Sequence, residues 1–333
     1  MKAEASKGHL FGLLVTVLLL ALSPFFVTSC QTRTQNERDR VKERAGVRRP
    51  LLCEGERRSV LLYYLSQDGA YLVPVTLKLT PTREVAKSAV ERLLAGISAE
   101  GLQRAFPEGV KLRDVFTLED RETVYVDLTR EVLHMGKDQA ERAIKSLVLT
   151  LTELEGVKRV QVLVEGEKLD SIGGVPVGEP LSRPSSINDL LPPGQNRGVQ
   201  VYFADPQALF LIPVTVPPVG GEGPKGAVLA LLAGPPPGSG LSRTVWPGTR
   251  LLAFHLEGST AVVDLSSEAF GYGGGHTAEI CFINSLLFTL TDFPQVSRVQ
   301  ILIEGQRRKF TPGGMDIWEP LPRPEALNPI PQR

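Results

Sequence analysis

TLTEL at Thr150–Leu154 and RVQVLVEG at Arg159–Gly166 return almost unchanged as TLTDF at Thr289–Phe293 and RVQILIEG at Arg298–Gly305. The offset between these two stretches is 139 residues from their first residue to their last. An unbroken register of this kind indicates an internal duplication. Because the repeats of solenoids and propellers are only ~20–50 residues long, each copy must be a domain with its own hydrophobic core.

Each copy is predicted to be an α+β sandwich. In the first copy, residue patterning predicts five strands, at Val60–Leu65, Tyr71–Leu77, Leu112–Leu118, Thr123–Leu128 and Arg159–Val164, and two helices, whose apolar positions run from Val85 to Leu94 and from Ala140 to Leu154. Pro74 cannot donate to a ladder, which places its strand at a sheet edge. Thr80-Pro81 resembles a cap followed by proline in the first helical turn. The order β-β-α-β-β-α-β predicts two helices on one face of a mixed sheet, in two tandem copies.

The N-terminus has the layout of a secretory signal. Lys2 and Lys7 precede an apolar run at Leu10–Leu22, and Val27–Cys30 (VTSC) follows. These four residues resemble a bacterial lipobox, which implies that residues 1–29 are removed and that Cys30 is acylated. The protein would then be anchored by lipid on the extracytoplasmic face of the cell membrane. The alternative is an uncleaved anchor at Leu10–Val27, because a membrane span needs ~17–25 residues.

Changes in composition predict the remaining boundaries. Residues 31–59 carry nine basic and five acidic side chains with little apolar pattern, so residues 30–59 are predicted to be a charged, solvated tether. The predicted segments after it are a first domain at 60–181, a Pro/Ser-rich linker at 182–198, a second domain at 199–321 and a Pro-rich tail at 322–333. The sequence does not define the relative orientation of the two domains.

The overall charge and the cysteine spacing argue against a nucleic-acid partner, a metal site and a redox site. The chain has 37 basic and 37 acidic side chains, which argues against bare nucleic acid as a partner. Cys30, Cys53 and Cys281 fit neither a metal-binding nor a redox spacing. No cofactor and no metal site are predicted.

No catalytic residue is predicted either. Asp127 and Asp264 recur at equivalent strand ends, but no histidine, second acid or nucleophile recurs with them. A carboxylate at such a position accepts hydrogen bonds from backbone N–H groups at the turn. Glu165 and Glu304 are predicted to have the same role in turns. The alternative is a protein that binds a peptidoglycan fragment or small molecule, with or without hydrolase activity, through Asp264 or His276 in a cleft between the domains.

Three motifs with partners in the second copy resemble the GerMN (germane) domain family of sporulation and germination lipoproteins. They are Ser88–Gly96 (SAVERLLAG), Val124–Leu128 (VYVDL) and Val160–Gly166, and the resemblance covers residues 60–321. It implies a fold similar to ring-building-motif domains and a non-catalytic role in binding or assembling envelope protein complexes, in sporulation or germination. The second copy departs from the pattern in its shorter first helix, which is expected to begin near Lys225.

Overall fold

The structure is a computed structural model that describes residues 48–330, apart from 54, 56, 119, 121, 272 and 274. Residues 50–333 form one compact unit, which contains both copies. The predicted signal peptide, Cys30 and most of the tether lie outside the described residues. Within the described residues, none of the helices has the length and apolar character needed to span a bilayer.

Each copy, called a module below, folds into the same main elements. The first module contains β1 (Arg57–Ser66), β2 (Leu72–Thr82), α1 (Val85–Ala95), β3 (Leu102–Gln103), β4 (Leu112–Thr117), β5 (Thr123–Leu128), α2 (Lys137–Thr152), β6 (Arg159–Val164), β7 (Ser171–Ile172), β8 (Val175–Pro176) and β9 (Leu181–Ser182). The second module contains β10 (Val199–Ala204), β11 (Leu211–Val216), α3 (Pro224–Ala233), β12 (Leu251–Glu257), β13 (Thr260–Leu265), α4 (His276–Thr291), β14 (Arg298–Ile303), β15 (Gln306–Arg307) and β16 (Leu321–Pro322). The predicted α+β class and element order are confirmed.

The main strands of each module divide between two sheets, whereas a single mixed sheet was predicted, and in the first module β7 and β8 form a separate two-stranded pair. In the first module one sheet has the order β2-β1-β3 and the other the order β4-β5-β6-β9, with β5 and β6 parallel. The outer side of β1 is bonded to a helix at Tyr63, whose N–H donates to Thr150 Oγ1 at 3.2 Å. Ser146 Oγ donates to the carbonyl oxygen of Tyr63 at 2.6 Å. Helix hydroxyls therefore take the bonds that a neighbouring strand would make.

The helices connect the two sheets of a module. α1 contacts β1 and β4, and α2 contacts β1 and β6. The apolar face predicted for α1 is buried over its whole length. The helix begins at Val85, however, and the predicted start at Thr80-Pro81 is wrong, because β2 continues as far as Thr82. Pro81 and Pro74 are tolerated in β2 because this strand lies at the edge of its sheet, as predicted for Pro74.

Candidate functional site

The two modules are joined through their proline-containing edge strands. These strands carry the repeated sequences LVPVT in β2 and LIPVT in β11, and the chain that follows each module pairs with the edge strand of the other. Residues 188–190, the first strap, make two backbone hydrogen bonds with Thr215 of β11, of 2.7 and 2.9 Å. Residues 327–330, the second strap, make two with Thr76 of β2, of 2.9 and 3.3 Å. The pairing is therefore reciprocal, since the edge strand of each module is bonded to the strap that follows the other module.

A buried asparagine in the first strap contacts both modules. Asn188 Oδ1 accepts the N–H of Leu72 at 2.8 Å. Its Nδ2 donates to the carbonyl oxygen of Leu72 in the first module and to that of Pro213 in the second, each at 2.8 Å. All three bonds are made to backbone groups, so the side chain links the edge strands β2 and β11 through hydrogen bonds.

Asn328 in the second strap makes the equivalent bonds from the other direction. Its Oδ1 accepts the N–H of Leu211 at 2.8 Å, and its Nδ2 donates to the carbonyl oxygens of Leu211 at 2.8 Å and Pro74 at 2.7 Å. Pro74 and Pro213 have no N–H, so their carbonyl oxygens are the only backbone groups there that need a partner. The interface is consequently pseudo-two-fold.

Sequence patterning alone did not reveal this interface, because both asparagines lie in Pro-rich segments that are typical of linkers. A signal was nevertheless present. Arg183-Pro184 is followed by Asn188, and Arg323-Pro324 is followed at the same distance by Asn328. The duplication therefore extends into the linker and the tail.

A tyrosine, an acid and an arginine fix the chain just before each strap. In the first module, Tyr63 donates its hydroxyl to Glu153 Oε1 at 2.7 Å, and Arg183 Nη2 donates to the same oxygen at 2.5 Å. Burial, reinforced by Glu153, raises the pKa of Tyr63 well above its ordinary value. The second module repeats the cluster with Tyr202, Asp292 and Arg323. The two acids lie in the repeated stretches, and the tyrosines and arginines recur at offsets of 139 and 140 residues, but only the fold brings the three side chains into contact.

The recurring aspartates are bonded to the backbone. Asp127 Oδ1 accepts the N–H of Gly166 at 2.8 Å, and Asp264 Oδ1 accepts that of Gly305 at 2.8 Å. They bond backbone N–H groups as predicted, although the turn is the one after the neighbouring parallel strand. Arg113 Nε lies 3.3 Å from Asp127 Oδ2. These carboxylates therefore hold the ends of adjacent strands together.

The recurring glutamates bind the backbone of the 3-10 turn that follows β5 or β13. Glu165 and Glu304 have left-handed backbone conformations, with φ of 53° and 52°. Glu165 Oε1 accepts the N–H of Arg130 at 3.1 Å, and Glu304 Oε1 accepts that of Ser267 at 2.9 Å. Both acids support the 3-10 turns at Arg130–His134 and Ser267–Phe270.

The alternative site in a cleft between the modules is not assembled from the residues considered for it. A cavity of about 200 Å³ between the modules is lined by polar groups that include Asp68 and Asp205, and neither Asp264 nor His276 belongs to its lining. His255 lies on an exposed strand, with Nε2 2.9 Å from Glu257 Oε1. The described residues contain no group of three or more His, Cys, Asp or Glu side chains placed to hold a metal ion.

Two further grooves occupy equivalent places in the modules but differ in chemistry. The first, of about 330 Å³, is lined by α2 and the first strap, and the second, of about 240 Å³, by α4 and the second strap. Glu141, Arg142 and Lys145 in the first are replaced by Ile280, Cys281 and Asn284 in the second. Burial lowers the pKa of Lys145 and raises that of the Cys281 thiol. Cys53 and Cys281 are both free thiols.

The fold and these sites define a tandem pair of α+β modules joined by a reciprocal interface. The germane family, described as "Sporulation and spore germination", matches residues 61–170 and 200–309. The chain belongs to this family, and the two matches correspond to the two modules.

One relative is similar to this chain both in sequence and in fold. The chain is 26% identical over 286 residues to the spore germination protein GerM of Bacillus subtilis (strain 168), covering 80% of this chain and 77% of that protein. The solved tandem GerMN domains of the sporulation protein GerM from Bacillus subtilis share the fold, with a TM-score of 0.65 and 24% identity, over 81% of this chain and 98% of that one.

Proposed function

We propose that this protein is a non-catalytic scaffold, anchored by lipid on the extracytoplasmic face of the membrane, that binds or helps to assemble envelope protein complexes in sporulation or spore germination. The observation that carries the proposal is the hydrogen bonding of the recurring acids. Asp127, Asp264, Glu165 and Glu304 all accept backbone N–H groups at strand ends. The duplication has therefore kept polar residues that maintain shape.

Membership of the germane family and the relationship to a spore germination protein support the cellular context of the proposal. The reciprocal straps support the scaffold role, because they hold two modules in one arrangement and leave their outer faces available. A rigid pair of modules can bind partners through helix faces or strand edges without any reactive group.

Lipid anchoring is tested by replacing Cys30. We expect the unaltered chain and a Cys53→Ser control to incorporate a labelled fatty acid in the producing cells, and Cys30→Ser to incorporate none. A lack of label in the unaltered chain, or label that persists in Cys30→Ser, would contradict acylation of Cys30, and an unlabelled chain that still fractionates with membranes would favour the uncleaved anchor at Leu10–Val27.

The scaffold role is tested by crosslinking with mass spectrometry in sporulating cells. We expect crosslinks from envelope proteins to concentrate on one face of the modules in the anchored chain and to decrease when residues 1–49 are replaced by a cleavable secretory signal that leaves no cysteine to acylate. Crosslinks that are no more frequent than in this secreted chain, or that are scattered over all faces, would count against the proposal.

A peptidoglycan turnover assay separates the scaffold from the hydrolase alternative. The purified chain is expected to release no soluble fragments from peptidoglycan, and Asp264→Asn and His276→Ala are expected to behave in the same way. Fragment release that either substitution abolishes would overturn the non-catalytic assignment.

A further inference from the structure

The loop after β14 carries basic and aromatic side chains in the second module. Arg307, Arg308 and Lys309 are consecutive and exposed. Phe310, which follows them, is 54% exposed, and Trp318 is 45% exposed. These five residues are called the basic–aromatic surface below.

Backbone pairing within the loop brings three of these residues, Arg308, Phe310 and Trp318, to one face. Phe310 and Asp316 form an antiparallel bridge, and the carbonyl oxygen of Lys309 accepts the N–H of the residue before Trp318 at 2.9 Å. In this register Arg308 lies opposite Trp318, and because alternate residues share a face, Arg308, Phe310 and Trp318 lie on one face while Arg307 and Lys309 start from the other. The ammonium group of Lys309 lies 5.3 Å from the centre of the Phe310 ring. Charge and aromatic surface are therefore adjacent.

A buried carboxylate holds this loop in place. Glu279 of α4 is 0% exposed, and its carboxylate accepts the N–H of Gly313 at 2.7 Å and that of Met315 at 3.1 Å. A Cβ atom on Gly313 would lie 2.4 Å from Glu279 Oε2, so this close approach requires glycine. The basic–aromatic surface is thus presented by an ordered loop.

The equivalent loop of the first module lacks this chemistry. The carbonyl oxygen of Asp170 accepts a backbone hydrogen bond of 3.0 Å that is the counterpart of the bond to Lys309. In this register, residues 167–171 (EKLDS) correspond to residues 306–310 (QRRKF), and the formal charge changes from −1 to +3. The fold has been kept while the charge was reversed, so the fold itself does not require the basic residues.

We propose that the basic–aromatic surface docks on an anionic lipid bilayer. Each Lys or Arg close to such a surface strengthens membrane binding by about fivefold, and Trp and Phe are suited to the headgroup level of a bilayer. Asp316 and Glu319 are the neighbouring acids in the loop, and the positive charge of the three basic residues exceeds theirs. The surface lines none of the grooves described above, which favours a broad lipid surface over an acidic peptide.

The proposal rests on the proposed function in one respect, the lipid anchor at Cys30. The charged tether predicted at residues 30–59 would join Cys30 to the first module as a solvated segment. The second module would thereby be kept within reach of headgroups, and docking would fix which face of the scaffold is turned away from the membrane.

Vesicle sedimentation tests the proposal with a chain from Pro50 to Arg333, which is the compact unit that contains both modules and their core. We expect binding to vesicles of phosphatidylcholine and phosphatidylglycerol in equal parts and none to phosphatidylcholine alone. The substitutions Arg307→Gln, Arg308→Gln and Lys309→Gln together should lower the partition coefficient by about a hundredfold. Phe310→Ser with Trp318→Ser should lower it by about tenfold, also at high salt.

A matched control removes three exposed basic residues of the first module, through Lys87→Gln, Lys111→Gln and Arg130→Gln. This variant loses the same net charge, and we expect it to bind anionic vesicles nearly as well as the parent. An equal loss in both triple variants, or no binding of the parent, would overturn the proposal. Because this chain lacks Cys30, failure here leaves lipid anchoring unaffected, and failure of anchoring leaves this binding unaffected.

Discussion

Replacing Asn188 with alanine is expected to lower the free energy of unfolding by about 3 kcal/mol, because three hydrogen bonds are lost and each contributes about 1 kcal/mol. The side chain is 8% exposed and its three bonds are all 2.8 Å long, so water cannot easily replace it. Asn328 makes the same set of bonds but is half-buried. Asn328→Ala should therefore cost less, about 1–2 kcal/mol.

Urea denaturation of the chain from Pro50 to Arg333 measures these changes, and small-angle scattering reports the separation of the modules. The control is Asn196→Ala, which makes the same chemical change at an exposed position of the segment between the modules. We expect the double variant Asn188→Ala/Asn328→Ala to unfold in two transitions and to have a larger radius of gyration, because the asparagine side-chain bonds that link the two edge strands are lost.

Unchanged denaturation midpoints and scattering profiles for both single variants and the double variant would refute this account of the interface. A decrease in Asn196→Ala as large as that in Asn188→Ala would also refute it, since the effect would then belong to the segment in general.

Three further predictions concern buried groups. Glu279→Ala should lower the free energy of unfolding by about 3 kcal/mol and accelerate amide exchange at Gly313, measured by hydrogen exchange. Burial raises the pKa of Tyr63 and Tyr202, so their contribution to stability is complete below the ordinary tyrosine pKa of about 10 and is lost as the pH rises above it, which denaturation at several pH values will show. Burial also raises the pKa of Cys281, so alkylation followed by mass spectrometry should be slower than for a small-molecule thiol at pH 8.

Much of the fold is predictable because it follows from local patterning and from the duplication. The α+β class, the element order and the edge position of Pro74 depend on period, turn residues and the missing N–H of proline. The division into two sheets is not predictable in this way. It depends on bonds between Tyr63 and the helix residues Ser146 and Thr150, which are more than 80 residues away.

The candidate sites show a similar contrast. The backbone role of Asp127 and Asp264 could be inferred because each recurs without a catalytic companion. The bonds that Asn188 and Asn328 make to both modules could not be inferred from the sequence, because asparagine in a Pro-rich segment is typical of turns. The start of α1 was misplaced for a related reason, since Pro81 is compatible with both a first helical turn and an edge strand.

The reciprocal straps also make the association of modules self-limiting. The outer side of each proline-containing edge is occupied at Thr76 or Thr215 by the strap of the other copy, so a third module cannot add there. A module separated from its copy would expose that edge and be open to domain swapping. Carrying both copies on one polypeptide replaces a concentration-dependent dimerisation with an intramolecular closure that persists at any dilution.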